Sequence, residues 1–126
     1  MIGYVTLGTN DISAAGAFYD ALLADSGASR MMDEEGFIAW TVSMGKPALS
    51  VCKPNDGNTA TVGNGMMVAL VFDTPEKVVA MHALAMELGG TDEGAPGPRG
   101  ESGFYAGYFR DLDGNKLCAF CIRSAS

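Results

Sequence analysis

Positive charge is scarce in this chain. Eight lysines and arginines stand against fifteen aspartates and glutamates, giving a net charge of −7 and a pI near 4.4. A nucleic-acid partner needs a basic face to neutralise phosphates, and an anionic membrane surface needs a polybasic cluster; the composition speaks against both. Histidine occurs once, at His82. Three cysteines cannot all pair internally, which fits a reducing compartment. No apolar run approaches the roughly 20 residues that span a bilayer. Met1 leads directly into strand-like residues from Ile2 to Leu7, without a basic segment and apolar stretch ahead of them, so the expected location is the cytoplasm. What remains is a globular composition of one-domain size: 126 residues, 48% apolar, 18% charged, with 17 glycines.

The chain reads as a duplication. Gly3 to about Pro54 and Met66 to about Arg123 follow one plan, with 55–65 as a polar linker inside a single domain of 1–126. Gly3–Gly8 reads as a strand. Asn10-Asp11 offers a helix cap, and Ile12, Ala15, Tyr19, Leu22 and Leu23 form an apolar stripe at helical spacing before Gly27. Strands follow at 30–32, 37–42 and 48–52, separated by the turns Asp33-Glu34-Glu35-Gly36 and Met44-Gly45-Lys46-Pro47. In the second copy, Met67–Phe72 is the strand. Thr74-Pro75 starts a helix with the stripe Val78, Met81, Ala85 and Leu88, and Gly89-Gly90 ends it. A short strand is expected within 91–103, and Phe104–Arg110 and Lys116–Ile122 flank the hairpin turn at Asp113-Gly114. Gly45–Cys52 aligns without a gap on Gly114–Cys121, which sets Leu49 over Cys118. The expected fold is α+β: two tandem βαβββ repeats, each burying one sheet face under its helix, with the two curved sheets enclosing a cleft. An apolar lining there is the default ligand site.

Tyr4-Val5-Thr6-Leu7-Gly8-Thr9-Asn10-Asp11 with Ala17-Phe18-Tyr19-Asp20-Ala21-Leu22-Leu23, and the ending Tyr108-Phe109-Arg110-Asp111-Leu112-Asp113-Gly114-Asn115-Lys116-Leu117, stand in register with the duplication. Together they resemble the vicinal oxygen chelate superfamily of glyoxalases, bleomycin-resistance proteins and extradiol dioxygenases. Within it, the chain looks most like small bacterial proteins related to lactoylglutathione lyase. The resemblance implies a homodimer. It also implies a divalent metal held by His, Glu or Gln at positions that fall on Tyr4, Leu49, Met67 and Cys118; the family pattern has Glu where Cys118 stands. Neither these residues nor their neighbours supply the three donors a catalytic metal needs. No metal or other cofactor is therefore expected.

Several residues invite chemistry and have plainer readings. Cys118-Ala119-Phe120-Cys121 is a Cys-x-x-Cys, but residues three apart on a strand point to opposite faces, so it is read as two packed thiols, with Cys118 a weak candidate nucleophile. His82 lies beside the buried stripe of its helix and reads as structural. Tyr4, Leu49, Met67 and Cys118, with Thr6, Val51, Ala69 and Phe120, are expected to line the trough, or to fill it as ordinary core. Trp40, Phe104, Tyr105 and Tyr108 lie on neighbouring strands, their direction open. Arg99 and Arg110 are the candidate anion-binding groups, read more simply as a solvated loop arginine and, for Arg110 ahead of Asp111 in its hairpin, as one half of a local ion pair. Asp33-Glu34-Glu35 reads as a solvated turn.

Three readings follow. In the first, a metal-independent member binds a small, mostly apolar ligand through Tyr4, Trp40, Leu49, Met67, Arg99, Tyr105, Cys118 and Phe120, as a binding or sequestering protein. In the second, a lactoylglutathione lyase-like enzyme holds a metal in an atypical site. In the third, a non-catalytic homodimeric module fills its own cleft.

Overall fold

The computed structural model describes residues 1–123. The chain divides into two compact units, Met1–Val62 and one that begins at Gly63. Each runs βαβββ, the order expected from the duplication.

The first unit holds β1 (Tyr4–Gly8), α1 (Ile12–Ala24), β2 (Ser29–Glu34), β3 (Phe37–Thr41) and β4 (Ala48–Cys52) in a sheet of order β1-β4-β3-β2. Asp11 caps α1, its side chain accepting from the Ala14 N–H at 3.0 Å. Asn10 serves elsewhere. Its side chain exchanges two hydrogen bonds with the backbone of Ala60, at 2.7 and 3.1 Å, and so ties the polar stretch beyond β4 to the start of α1. β2 runs through Asp33 and Glu34, residues expected in a turn, because both pair with β3 and leave Glu35-Gly36 to reverse the chain.

α1 packs on β2, β3 and β4. Tyr19 meets Trp40 with ring centroids 5.5 Å apart, and the Trp40 Nε1–H donates to Asp20 at 2.8 Å. Strand alternation and cross-strand register then assign the faces. Trp40 lies opposite Leu49, and Ile38 opposite Val51, so these four look toward the helix. Ala39 lies opposite Ser50, and Ser50 opposite Thr6, on the face the helix leaves free.

The second unit holds β5 (Val68–Val71), α2 (Pro75–Glu87), β6 (Thr91–Pro98), β7 (Phe104–Arg110) and β8 (Lys116–Ile122), in the order β5-β8-β7-β6. Thr74 caps α2 and Pro75 opens it. α2 packs on β6, β7 and β8. His82 is buried in that seam, its Nε2 2.9 Å from Asp92 and its ring edge-on to Phe109. Gly107 gives it room: a Cβ there would stand 3.3 Å from the imidazole. The helix face thus carries Tyr105, Gly107, Phe109, Leu117, Ala119 and Cys121. The free face carries Phe104, Ala106, Tyr108, Lys116, Cys118 and Phe120.

Candidate functional site

The candidate site is the helix-free face of each sheet. In the first unit, Tyr4 and Phe37 meet edge to face at 6.4 Å, and the Thr6 and Ser50 hydroxyls are 2.7 Å apart. Ser50 also donates to the Val5 carbonyl at 2.9 Å, so this buried hydroxyl is fully engaged. In the second unit, the Phe104 and Phe120 rings lie 5.3 Å apart, beside Tyr108 and Cys118. Met67, one residue ahead of β5, and Val71 within it are exposed.

The expected lining is thus divided. Tyr4, Thr6, Ala69, Cys118 and Phe120 stand on the helix-free faces. Leu49, Val51, Trp40 and Tyr105 face the helices, a correction to the expected register of the first repeat and to the place of Tyr105. The cause is a one-residue slip, which flips every side chain of a strand to its other face. Thr6 pairs with Ser50, and Ala69 pairs with Cys118. Ser50, rather than Leu49, therefore holds the place of Cys118, and the gapless match of Gly45–Cys52 on Gly114–Cys121 is one residue out.

Arg110 is ion-paired, with a residue of β6 as its partner. Its guanidinium pairs with Glu93 and donates to the Gly114 carbonyl at 2.8 Å. Asp111 organises the hairpin turn, accepting from the N–H groups of Asp113 and Asn115 at 2.9 Å each.

Arg99 and Lys116 both approach Tyr108. Arg99 Cζ and Lys116 Nζ each lie 5.4 Å from the ring centroid. Lys116 carries no signal of its own in the sequence, but counting back from the Asp113-Gly114 turn sets it opposite Arg110 and sets Tyr108 opposite Cys118. Burial pushes the Cys118 thiol above its ordinary pKa, and the charges of Arg99 and Lys116 with a hydrogen bond to Tyr108 hold part of that rise back. A buried, protonated thiol is a weak nucleophile.

The donors on neither helix-free face fit a family metal ion. Tyr4 and Ser50 supply only hydroxyls, Met67 a thioether and Cys118 a thiol. Among the described residues, no group of three His, Cys, Asp or Glu is placed to hold a metal. His82 is held by Asp92 in the helix seam. No helix among the described residues is long and apolar enough to cross a membrane.

No family model matches the chain, and no curated protein matches it. Solved structures do. A glyoxalase/bleomycin resistance protein from Albidiferax ferrireducens T118 is 34% identical, with a TM-score of 0.86 over 96% of this chain and 98% of its own. A glyoxalase-related enzyme from Fulvimarina pelagi is 20% identical at a TM-score of 0.76, covering 96% and 87%. A lactoylglutathione lyase from Agrobacterium tumefaciens is 20% identical at 0.70, covering 96% and 92%. The last two likenesses speak to the fold alone.

Proposed function

The chain belongs to the glyoxalase/bleomycin resistance protein family, and from that premise we propose that it binds a small, mostly apolar ligand on its helix-free sheet faces without a metal ion. One observation carries this reading. The helix-free faces present aromatic and apolar side chains (Tyr4 with Phe37, Phe104 with Phe120) where metal chemistry would need imidazoles and carboxylates. Binding sites for small ligands are mostly apolar with a few polar groups to orient the guest, which is the composition here. No residue is assigned a catalytic role; the Cys118 thiol is buried and its pKa is raised.

A screen of metabolites and antibiotics by thermal shift is the test. A ligand at 100 times its Kd stabilises the folded state by about 2.7 kcal/mol, which is well within reach of the method. Failure of every compound at millimolar concentration would remove the proposal. The competing lyase reading is checked on protein purified without chelator, by metal content and by turnover of the methylglyoxal–glutathione hemithioacetal. Stoichiometric metal together with turnover would replace the binding role by catalysis.

A second reading rests on exposed apolar side chains. Tyr4, Val71 and Ile122 are each more than 60% exposed on or beside these faces. Burying such a side chain is worth about 1.5–3 kcal/mol, so a second copy of the chain is the proposed cover. Light scattering after size exclusion is expected to give twice the chain mass for the wild type and a monomer for Val71→Asp. A monomeric wild type at micromolar concentration would remove the homodimer.

A further inference from the structure

We infer that the helix-free face of the second sheet carries an anion subsite, formed by Arg99 and Lys116 around the Tyr108 ring, that takes the carboxylate of an otherwise apolar acid. The inference rests on the ligand-face reading above and adds the chemical class of the guest.

Arg99 is placed rather than loose. It follows β6, and its side chain turns back along that strand. The Nη2 group donates to the Ala95 carbonyl at 2.6 Å, and Nη1 to that of Pro98 at 3.3 Å. It rests where β6 has no side chains. A Cβ at Gly97 would lie 3.2 Å from Nη1, and one at Gly94 would lie 3.4 Å from Nη2. A guanidinium has five N–H donors in a planar fork, so two bonds to carbonyls leave donors to spare.

The charge is only partly answered within the chain. Among the described residues, neither Arg99 nor Lys116 has a carboxylate within ion-pair distance. Glu93, whose carboxyl feels the Lys116 charge, is held by Arg110. The first repeat supplies the contrast. There Arg30 also lies over an aromatic ring, 5.9 Å from Trp40, but Asp20 and Asp33 neutralise it at 2.8 and 3.0 Å. The two rings lie on different faces, Trp40 under α1 and Tyr108 on the helix-free side, so the contrast is one of pairing alone: Arg30 is neutralised by carboxylates and Arg99 is not. Two cations flank one ring in a molecule with a net charge of −7. An anion within reach of both charges would offset them, and a carboxylate matches the guanidinium fork. The neighbouring half-buried Phe104 and Phe120 would hold an apolar body.

The test titrates the full chain with 2-naphthoate and with neutral 2-naphthamide by calorimetry at low salt. Naphthoate is expected to bind about tenfold tighter than the amide, the scale of one charge-assisted hydrogen-bonded pair. Arg99→Gln and Lys116→Gln should each weaken naphthoate and leave naphthamide unchanged. Gly97→Ala, which keeps every charge but crowds the guanidinium, should copy Arg99→Gln in part. Lys46→Gln, in the turn before β4, should have no effect. Equal affinity of the two probes, or a preference that survives the Arg99→Gln/Lys116→Gln double variant, would overturn the anion subsite and leave the ligand face standing. Failure of both probes to bind would overturn the subsite and the ligand face together.

Discussion

Trp40 shows how one side chain serves the fold where a ligand contact was expected. It is 2% exposed, packs at a tilt against Tyr19, and donates to Asp20, which also accepts from Arg30 at 2.9 and 2.8 Å. Trp40→Phe removes a bond to a charged acceptor and leaves a void, so a loss of about 2–4 kcal/mol in urea denaturation is expected. The Arg30 hydrogen bond, more than that of Trp40, holds the Asp20 carboxyl below its usual pKa. A lowered folded pKa contributes stability that is fully present above the ordinary carboxylate value of about 3.9 and is lost as pH falls through the folded value. Asp20→Asn should therefore flatten the acid limb of the stability curve below about pH 4 and leave its shape near neutrality unchanged. The cysteines divide by burial in the same way. Cys118 and Cys121 are each 1% exposed, whereas Cys52 is half-buried. Iodoacetamide followed by mass spectrometry should modify Cys52 first and reach the other two only in denaturant; early labelling of Cys118 would revive it as a nucleophile.

At the level of elements, the β7–β8 hairpin hangs on Asp111. This buried carboxylate accepts from two backbone N–H groups and from the Asn115 amide at 3.0 Å. Asp111→Ala strands those donors and is expected to cost about 2–4 kcal/mol, whereas Asp111→Asn, which keeps an acceptor, should cost less; equal losses would show that charge matters more than acceptor geometry. This hairpin was readable in the sequence because Asp113-Gly114 names its turn, and Gly114 does adopt a φ of 91°. The helices were equally readable from Asp11 and from Thr74-Pro75, whose caps act within one turn of chain. The face of β4 was not. It depends on how many residues the chain spends between β3 and β4, and matching glycine to glycine across the repeats hid a one-residue difference. Tyr105 was open for a related reason, since alternation gives two faces and only the helix decides which is inside. The place of Arg99 was beyond local reading altogether. It depends on the irregular pairing of β6 with β7 around Gly94 and Gly97, which no strand period encodes.

At the scale of the whole molecule, duplication and net charge set the terms. Two copies of one plan keep one backbone order and differ in the residues they set on their helix-free faces. The charge of −7 repels an approaching carboxylate at long range, even though Arg99 and Lys116 attract it on arrival. The screening length shrinks from about 30 Å at 0.01 M salt to about 8 Å at 0.15 M. Stopped-flow association of 2-naphthoate should accelerate over that range while that of 2-naphthamide holds steady; a slowing of naphthoate would mean that the cationic patch already dominates its approach. The bare strip of β6 has one more consequence, on an evolutionary timescale. The guanidinium lies where Gly94 and Gly97 offer only hydrogen atoms. A single methyl group gained at Gly97 would stand 3.2 Å from Nη1 and make the guanidinium give by a few tenths of an ångström, without meeting the buried residues under α2. On the proposed subsite, one codon change at Gly97 would alter how the guanidinium meets a carboxylate.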